Sequence, residues 1–415
     1  MKRFALAAVC LLLFAPPGVA AEEASADVAA RLKALEERIR ALEAELAALK
    51  AAQPGAAPAA APPVVPVAAV AAPVGAPQGP TGQLPVYGGA SALAKIFNPD
   101  ISVIGNFTGA IGRNPLLPRP ALEMRETEVG FQAVVDPFAR ADFFLDFSEE
   151  GVDLEEGYLT FTSLPAGLLA KVGKMRTGFG IVNTKHNDAL PWIDRPLVTE
   201  NLLGGEEGMS EAGFSVSRLL PAPKDVFLEL TAQVFRGDAG DVFQSSRRRD
   251  VSVVGHLRGY GDLTESTNLE LGLSYARGHN DFGSTFTTDL YGFDATLRWR
   301  PLRRAIYHSL LWRSELVWSH RQEPLGTQRA FGVYTGADYR LNRRWTLGGR
   351  YDRSGRARDA GLTDNGFSAV VTYWPSEFSQ LRWQYRFTNS AEGRNDNELL
   401  LQFLFNLGVH GAHPF

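Results

Sequence analysis

The chain has 415 residues, a net charge of −4, 45% hydrophobic residues and a single cysteine. Beyond the N-terminus no apolar run approaches the roughly 18 residues of a spanning helix, which argues against a helical membrane protein. The charge is too balanced for a nucleic-acid partner, and the length suits one large domain with appendages.

Residues 1–21 read as a secretory signal peptide: Lys2 and Arg3 open it, Phe4 to Phe14 form its apolar core, and Gly18-Val19-Ala20 or Val19-Ala20-Ala21 offers a small-residue exit. Cys10 sits inside that core, and the apolar run continues past it, which disfavours a lipobox at Ala7–Cys10. The mature chain is then expected to lack thiol chemistry.

Residues 22–51 carry a coiled-coil pattern. Val28, Leu32, Leu35, Ile39, Leu42, Leu46 and Leu49 alternate in steps of four and three, an a/d seam over three heptads. In a parallel pairing the flanking positions match Arg31 with Glu36, Arg38 with Glu43 and Glu45 with Lys50, all opposite in sign. A lone amphipathic helix is the simpler alternative, because three heptads are marginal in isolation. Residues 52–94 form a Pro/Ala-rich linker, expected to act as an extended tether.

From residue 95 to 415 the dominant period is two. Ala141, Phe143, Leu145 and Phe147 share a face, as do Leu269, Leu271, Leu273 and Tyr275, and the terminal Leu399, Leu401, Phe403, Phe405 and Leu407. The opposite face carries charges along its length, as expected with lipid outside and water inside. About sixteen strands are predicted, from 100–112 through 168–176, 209–220, 343–352 and 364–374 to 396–408. Tight connections such as Asp136-Pro137, Gly261-Asp262, Pro301–Arg303 and Pro375-Ser376 alternate with longer polar ones such as Gly237–Arg249, Arg353–Leu362 and Asn389–Arg394. The expected fold class is all-β: a transmembrane antiparallel β-barrel preceded by a coiled-coil helix and a linker.

A barrel of that size leaves an aqueous lumen. The one very long connection, residues 177–208, is expected to fold into it, with a surface flap as the alternative. Leu169–Gly180, Trp192–Leu197 and Glu207–Gly213, preceded by Glu155–Phe161, resemble the phosphate-selective porin O/P family. That resemblance implies a porin trimer, which suits a self-pairing stalk, and a solute preference that in the family leans on lysines. Lysines are scarce here: the motif holds only Lys171, Lys174 and Lys185.

The candidate pore-lining and selectivity residues are Lys171, Lys174 and Arg176 of the motif. To these the later strands add Arg298, Arg300, Arg313, Arg340, Arg350, Arg382 and Arg386, with the carboxylates Glu315 and Asp338. Arginine suits planar recognition of carboxylate or phosphate, but the same residues would equally serve as ion pairs across the wall. No catalytic set, cofactor or metal is expected. His410 and His413 lack a third ligand, and His186, Asp188 and Asp194 lack a nucleophile or a rigid element to hold them.

The function expected is passive diffusion of small hydrophilic solutes, among them anions such as phosphate, through a lumen narrowed by the 177–208 loop. The location expected is the outer membrane of a Gram-negative cell, with the stalk in the periplasm and Phe415 as the signal read by the barrel assembly machinery. The rival readings are a TonB-dependent nutrient receptor, or a barrel anchor tethering the stalk to the cell wall.

Overall fold

The computed structural model describes residues 99–115, 118–223 and 226–408, together with Lys33 and Arg40, both helical. The signal peptide, the rest of the stalk, the linker, and His410, His413 and Phe415 lie outside the described residues.

Sixteen strands close into one antiparallel barrel. They are β1 (Asp100–Arg113), β2 (Leu122–Asp136), β3 (Ala139–Ser148), β4 (Gly151–Phe161), β5 (Leu168–Arg176), β6 (Ser210–Leu219), β7 (Val226–Phe235) and β8 (Ser252–Thr264). The second half comprises β9 (Thr267–Asn280), β10 (Gly283–Trp299), β11 (Ser309–Glu323), β12 (Gly326–Arg340), β13 (Trp345–Arg356), β14 (Asp359–Ser376), β15 (Ser379–Asn389) and β16 (Asp396–Gly408). The last strand returns to the first, from Ser102 opposite Gly408 to Arg113 opposite Asn397. Closure leaves no unpaired sheet edge. Sixteen strands also fall short of the 22 or so of plugged receptor barrels.

The pleat sorts the side chains into two environments. On β13, Leu347 and Tyr351 are 43% and 45% exposed, whereas Arg350, Asp352 and Ser354 are 2%, 1% and 0% exposed. Phe143, Leu271, Leu273, Phe331, Phe367, Tyr385 and Leu399 continue the exposed apolar belt round the ring. This arrangement is the inverse of a water-soluble protein, where burying a charge costs far more than exposing it.

The connections differ from the expected alternation, because several strands run further than their hydropathy indicates. Ser354 still pairs with Asp364, so the segment expected as a loop over 353–362 is a hairpin turning at Ala357-Arg358. β8 continues through Gly261-Asp262 and pairs as far as Thr264 with Thr267. The three-residue turn expected at Pro301–Arg303 is part of a longer connection over 300–308. Backbone ladders persist whatever the side chains, so a strand projecting beyond the apolar belt carries polar residues without ending. Two-residue turns therefore occur at both ends of the barrel, at 281–282, 324–325 and 357–358 as well as at 137–138 and 377–378.

The main apolar cluster lies inside the barrel. Phe179, Trp192, Val198, Leu202 and Leu203 from the long connection after β5 pack with Phe243 from the connection after β7 and with wall residues such as Leu290, Val317 and Tyr334.

Candidate functional site

The segment between β5 and β6, residues 177–209, has only one short helix, α1 (Leu197–Leu202). Its polar backbone is satisfied by local turns, such as Lys185 to Val182 and Ala189 to His186, and by side chains, as burial requires. Asn183 donates to the carbonyls of Thr177 (2.9 Å) and Met209 (3.1 Å) and accepts from the Met209 amide (2.7 Å), latching the two ends of the loop together. Arg195 donates to Asn187 Oδ1 (2.9 Å) and to the carbonyls of Val182 (3.1 Å) and Lys185 (2.8 Å).

The loop crosses the lumen and is held on both sides. Glu315 Oε1, on β11, accepts from the amides of Ile181 (2.7 Å) and Val182 (2.6 Å). Gln233 and Ser274 accept from the amides of Gly178 and Gly180. Asp194 receives Arg350 Nη2 at 3.0 Å, Arg386 Nη1 at 3.1 Å and Gln384 Nε2 at 2.5 Å. Burial alone would raise the Asp194 pKa, but Arg350 and Arg386 outweigh it and hold the carboxyl well below the usual carboxylate range. Trp192 lies under the Arg350 guanidinium, 4.8 Å from ring centroid to charge, and meets Tyr334 edge-on at 5.3 Å.

Glycine makes the close fit possible where α1 meets the wall. A Cβ on Gly332 would fall 2.6 Å from Val198 Cγ2, and one on Gly336 would fall 3.1 Å from the Trp192 ring.

Eight strands round the ring from β11, His186 is held between β2 and β4. Its Nδ1 lies 2.5 Å from Glu128 Oε2 and 3.0 Å from Glu155 Oε2, and its Nε2 lies 2.8 Å from Glu156 Oε2. Burial pulls the His186 pKa down, and these three carboxylates together push it well above the ordinary histidine value. Asp188, two residues on, has its pKa raised by burial and by the Glu128 charge.

Beneath the loop a cavity of about 710 Å3 opens toward the opposite end of the barrel. Its lining holds eight cationic side chains, Arg140, Lys171, Lys185, Arg298, Arg300, Arg313, Arg340 and Arg382, against four carboxylates, Asp142, Glu156, Asp188 and Asp338. Some of the cations are neutralised: Arg140 pairs with Asp142 (2.6 Å), Arg298 with Glu270 (2.7 Å) and Arg313 with Asp338 (3.2 Å). Lys171 stands 4.2 Å over the Tyr158 ring. Arg300, Arg340 and Lys185 have no ion-pair partner among the described residues. Burial, and then the charges of Arg313 and Arg298, lower the Lys185 pKa against the opposing pull of Glu270 and Glu315.

The candidates from sequence divide into three groups. Lys171, Arg298, Arg300, Arg313, Arg340, Arg382 and Asp338 line the cavity. Arg350, Arg386 and Glu315 grip the loop instead, and Arg176 secures its base by pairing with Glu155 and donating to the Glu207 carbonyl (2.5 Å). For these four, wall-to-loop bonding replaces the expected exposure to solute. Lys174 is corrected outright: it pairs with Asp153, which is 78% exposed, and is absent from the cavity lining. Lys171 and Lys174 are three residues apart on a strand, so the pleat sends them to opposite faces.

The expected site residues do not include Lys185, named only as a motif lysine, or His186 and Asp188, which in sequence lack a rigid element to hold them. No periodicity marks residues of an irregular loop. The double carboxylate Glu155-Glu156, ahead of a buried-loop histidine, was the one available signal.

No protein-family model matches the chain. An uncharacterized protein of Aquifex aeolicus (strain VF5) is 29% identical over 391 residues, covering 77% of this chain and 81% of that protein. Among solved structures, the anion-selective porin from Comamonas acidovorans is similar with a TM-score of 0.52 and 10% identity, over 74% of this chain and 100% of that one. Pseudomonas putida OprB gives 0.52 and 10%, over 76% and 95% of the two chains. The outer-membrane channel DcaP of Acinetobacter baumannii gives 0.50 and 12%, over 75% and 96%. The described residues thus form a sixteen-stranded barrel of the fold seen in outer-membrane porins.

Proposed function

We propose that this chain is an outer-membrane porin that passes small hydrophilic solutes and prefers anions, phosphate among them. The observation that carries the reading is the cavity under the lumen loop, with its eight cations against four carboxylates, inside a barrel whose outer face is apolar. A low-dielectric wall focuses the field of such an excess and raises the local concentration of anions. The exposed belt supports a lipid-facing location, since a belt of that kind is stable only against hydrocarbon.

In this reading the 177–209 loop is the constriction, and Lys185, Arg300 and Arg340 are the cations that meet a passing solute. The resemblance of residues 153–215 to the phosphate-selective porin O/P family supports phosphate as one such solute. It also implies a trimer, which suits the N-terminal coil as a self-pairing periplasmic stalk.

The test is the conductance of the purified protein in a planar bilayer across a potassium chloride gradient. A reversal potential displaced toward the chloride equilibrium value is expected. Absence of any channel would refute the porin, and displacement toward potassium would refute the anion preference alone.

A further inference from the structure

We propose that the outer wall over β9–β12 is a docking surface for a phosphorylated lipid of the outer leaflet, given that the chain is an outer-membrane porin with its stalk in the periplasm. Cross-strand pairing sets three rows of side chains next to one another on the face turned away from the lumen. Leu273, Phe293, Leu316 and Val333 form an apolar row. Tyr275, Tyr291, Trp318 and Phe331 form an aromatic row beside it. Tyr275 and Tyr291 lie 5.3 Å apart by ring centroid, and Trp318 and Phe331 5.2 Å. Arg277, Asp289, His320 and Arg329 form the third row, toward the barrel end opposite Asp100 and Gly408. With the stalk that precedes Asp100 in the periplasm, that end faces outward from the cell.

The depth of each row follows from its chemistry. Exposed apolar side chains on a barrel wall are stable against hydrocarbon, and amphipathic rings collect where hydrocarbon gives way to headgroups. Tyr291, Trp318 and Phe331 are exposed, so the next row outward stands among the headgroups.

That row has a net positive charge. Asp289 Oδ1 accepts from Arg277 Nη1 (2.9 Å) and from the Tyr275 hydroxyl (2.7 Å), which fixes the exposed Arg277 above the rings. The His320 ring meets Tyr291 edge-on at 5.5 Å. Arg329 is exposed and has no ion-pair partner among the described residues. On β14, β15 and β16 the outward residues beyond Phe367, Phe387 and Leu399 are the neutral Asn365, Asn389 and Asn397. The excess of cations therefore belongs to one sector of the wall and is not repeated there.

Guanidinium groups suit the oxygens of a phosphate. A molecule that covers all three rows must join acyl chains to an anionic headgroup. Free phosphate satisfies only the third row, and a zwitterionic lipid brings Arg329 no net counter-charge.

The test is native mass spectrometry of the full chain in detergent, incubated with dimyristoyl phosphatidic acid or dimyristoyl phosphatidylcholine, which share their acyl chains. Wild type is expected to retain phosphatidic acid better by at least about fivefold, the effect of one interfacial cation. R329Q and R277Q are each expected to cut that preference severalfold, with conductance unchanged because neither side chain lines the lumen cavity. Equal retention of the two lipids by wild type overturns the proposal and needs no variant to fold. So does an undiminished preference in both folded variants, or displacement of the lipid by inorganic phosphate, which would make the row a site for the free anion. A barrel that conducts without headgroup preference overturns this inference and leaves the porin standing, whereas a lipid-binding barrel that never conducts refutes the porin alone.

Discussion

Asp194 and Arg350, 156 residues apart in the chain, meet at 3.0 Å with their side chains 2% and 1% exposed. Arg386 reaches the same carboxylate at 3.1 Å. One loop residue thereby joins two wall strands that are not neighbours, β13 and β15, and sets where the loop lies in the lumen.

Asp194→Asn is expected to loosen the loop strongly. It leaves two buried guanidinium groups facing a neutral amide, and breaking a buried pair in this way costs about 3–5 kcal/mol. In bilayers the variant should show larger and noisier conductance than wild type, with the barrel still closed. Conductance identical to wild type would mean that the loop is held elsewhere.

The same contact sets a pH response. The Asp194 pKa is depressed in the folded protein, so its contribution is complete above the unfolded aspartate value of about 3.9 and is lost as pH falls through the lower folded value. Conductance steps recorded from pH 7 down to pH 5 should therefore show no loosening attributable to Asp194. Any loosening that is absent from Asp194→Asn should begin below pH 4.

Arg300→Glu combined with Arg340→Glu should reduce or reverse the anion preference without unfolding the barrel. Neither guanidinium has an ion-pair partner among the described residues, so no buried carboxylate is stranded. Reversal potentials in a salt gradient read the change, which should shrink at high ionic strength as screening shortens the reach of the field.

Gly332→Ala should displace α1 from the wall. The new methyl would fall 2.6 Å from Val198 Cγ2 and 2.8 Å from Ser354 Oγ, an overpacking that costs about 1–3 kcal/mol. Gly349→Ala is the control, because its nearest neighbour would be the Ser368 carbonyl at 3.8 Å. Thermal unfolding in detergent should separate the two variants.

Much of the barrel was legible because strand signals are local. Alternation along Leu399 to Leu407 marks one face of β16 without reference to any other strand, and the start and end predicted for β5 and β16 agree with the structure. The ends of β8, β13 and β14 were not legible, since polar residues continue a ladder as readily as they end one. The site was legible by half. Parity along the strands identified Arg298, Arg300, Arg313 and Arg340 as inward-facing, but it could not tell an arginine that faces solvent from one that faces the loop. Arg350 and Arg386 have the same sequence character as Arg298, and only Asp194 distinguishes them.

The sequence by itself determined the architecture: a period of two, an apolar face paired with a charged one, and enough repeats to close a ring. These follow from interactions between each residue and its surroundings on one side of a sheet, and they survive without knowledge of any partner. The tertiary structure alone decided what the lumen holds. The path of residues 177–209, the pairing of Asp194 with Arg350 and Arg386, and the convergence of Glu128, Glu155 and Glu156 on His186 all join groups far apart in sequence. Their strength comes from burial that exists only once the barrel has closed around the loop.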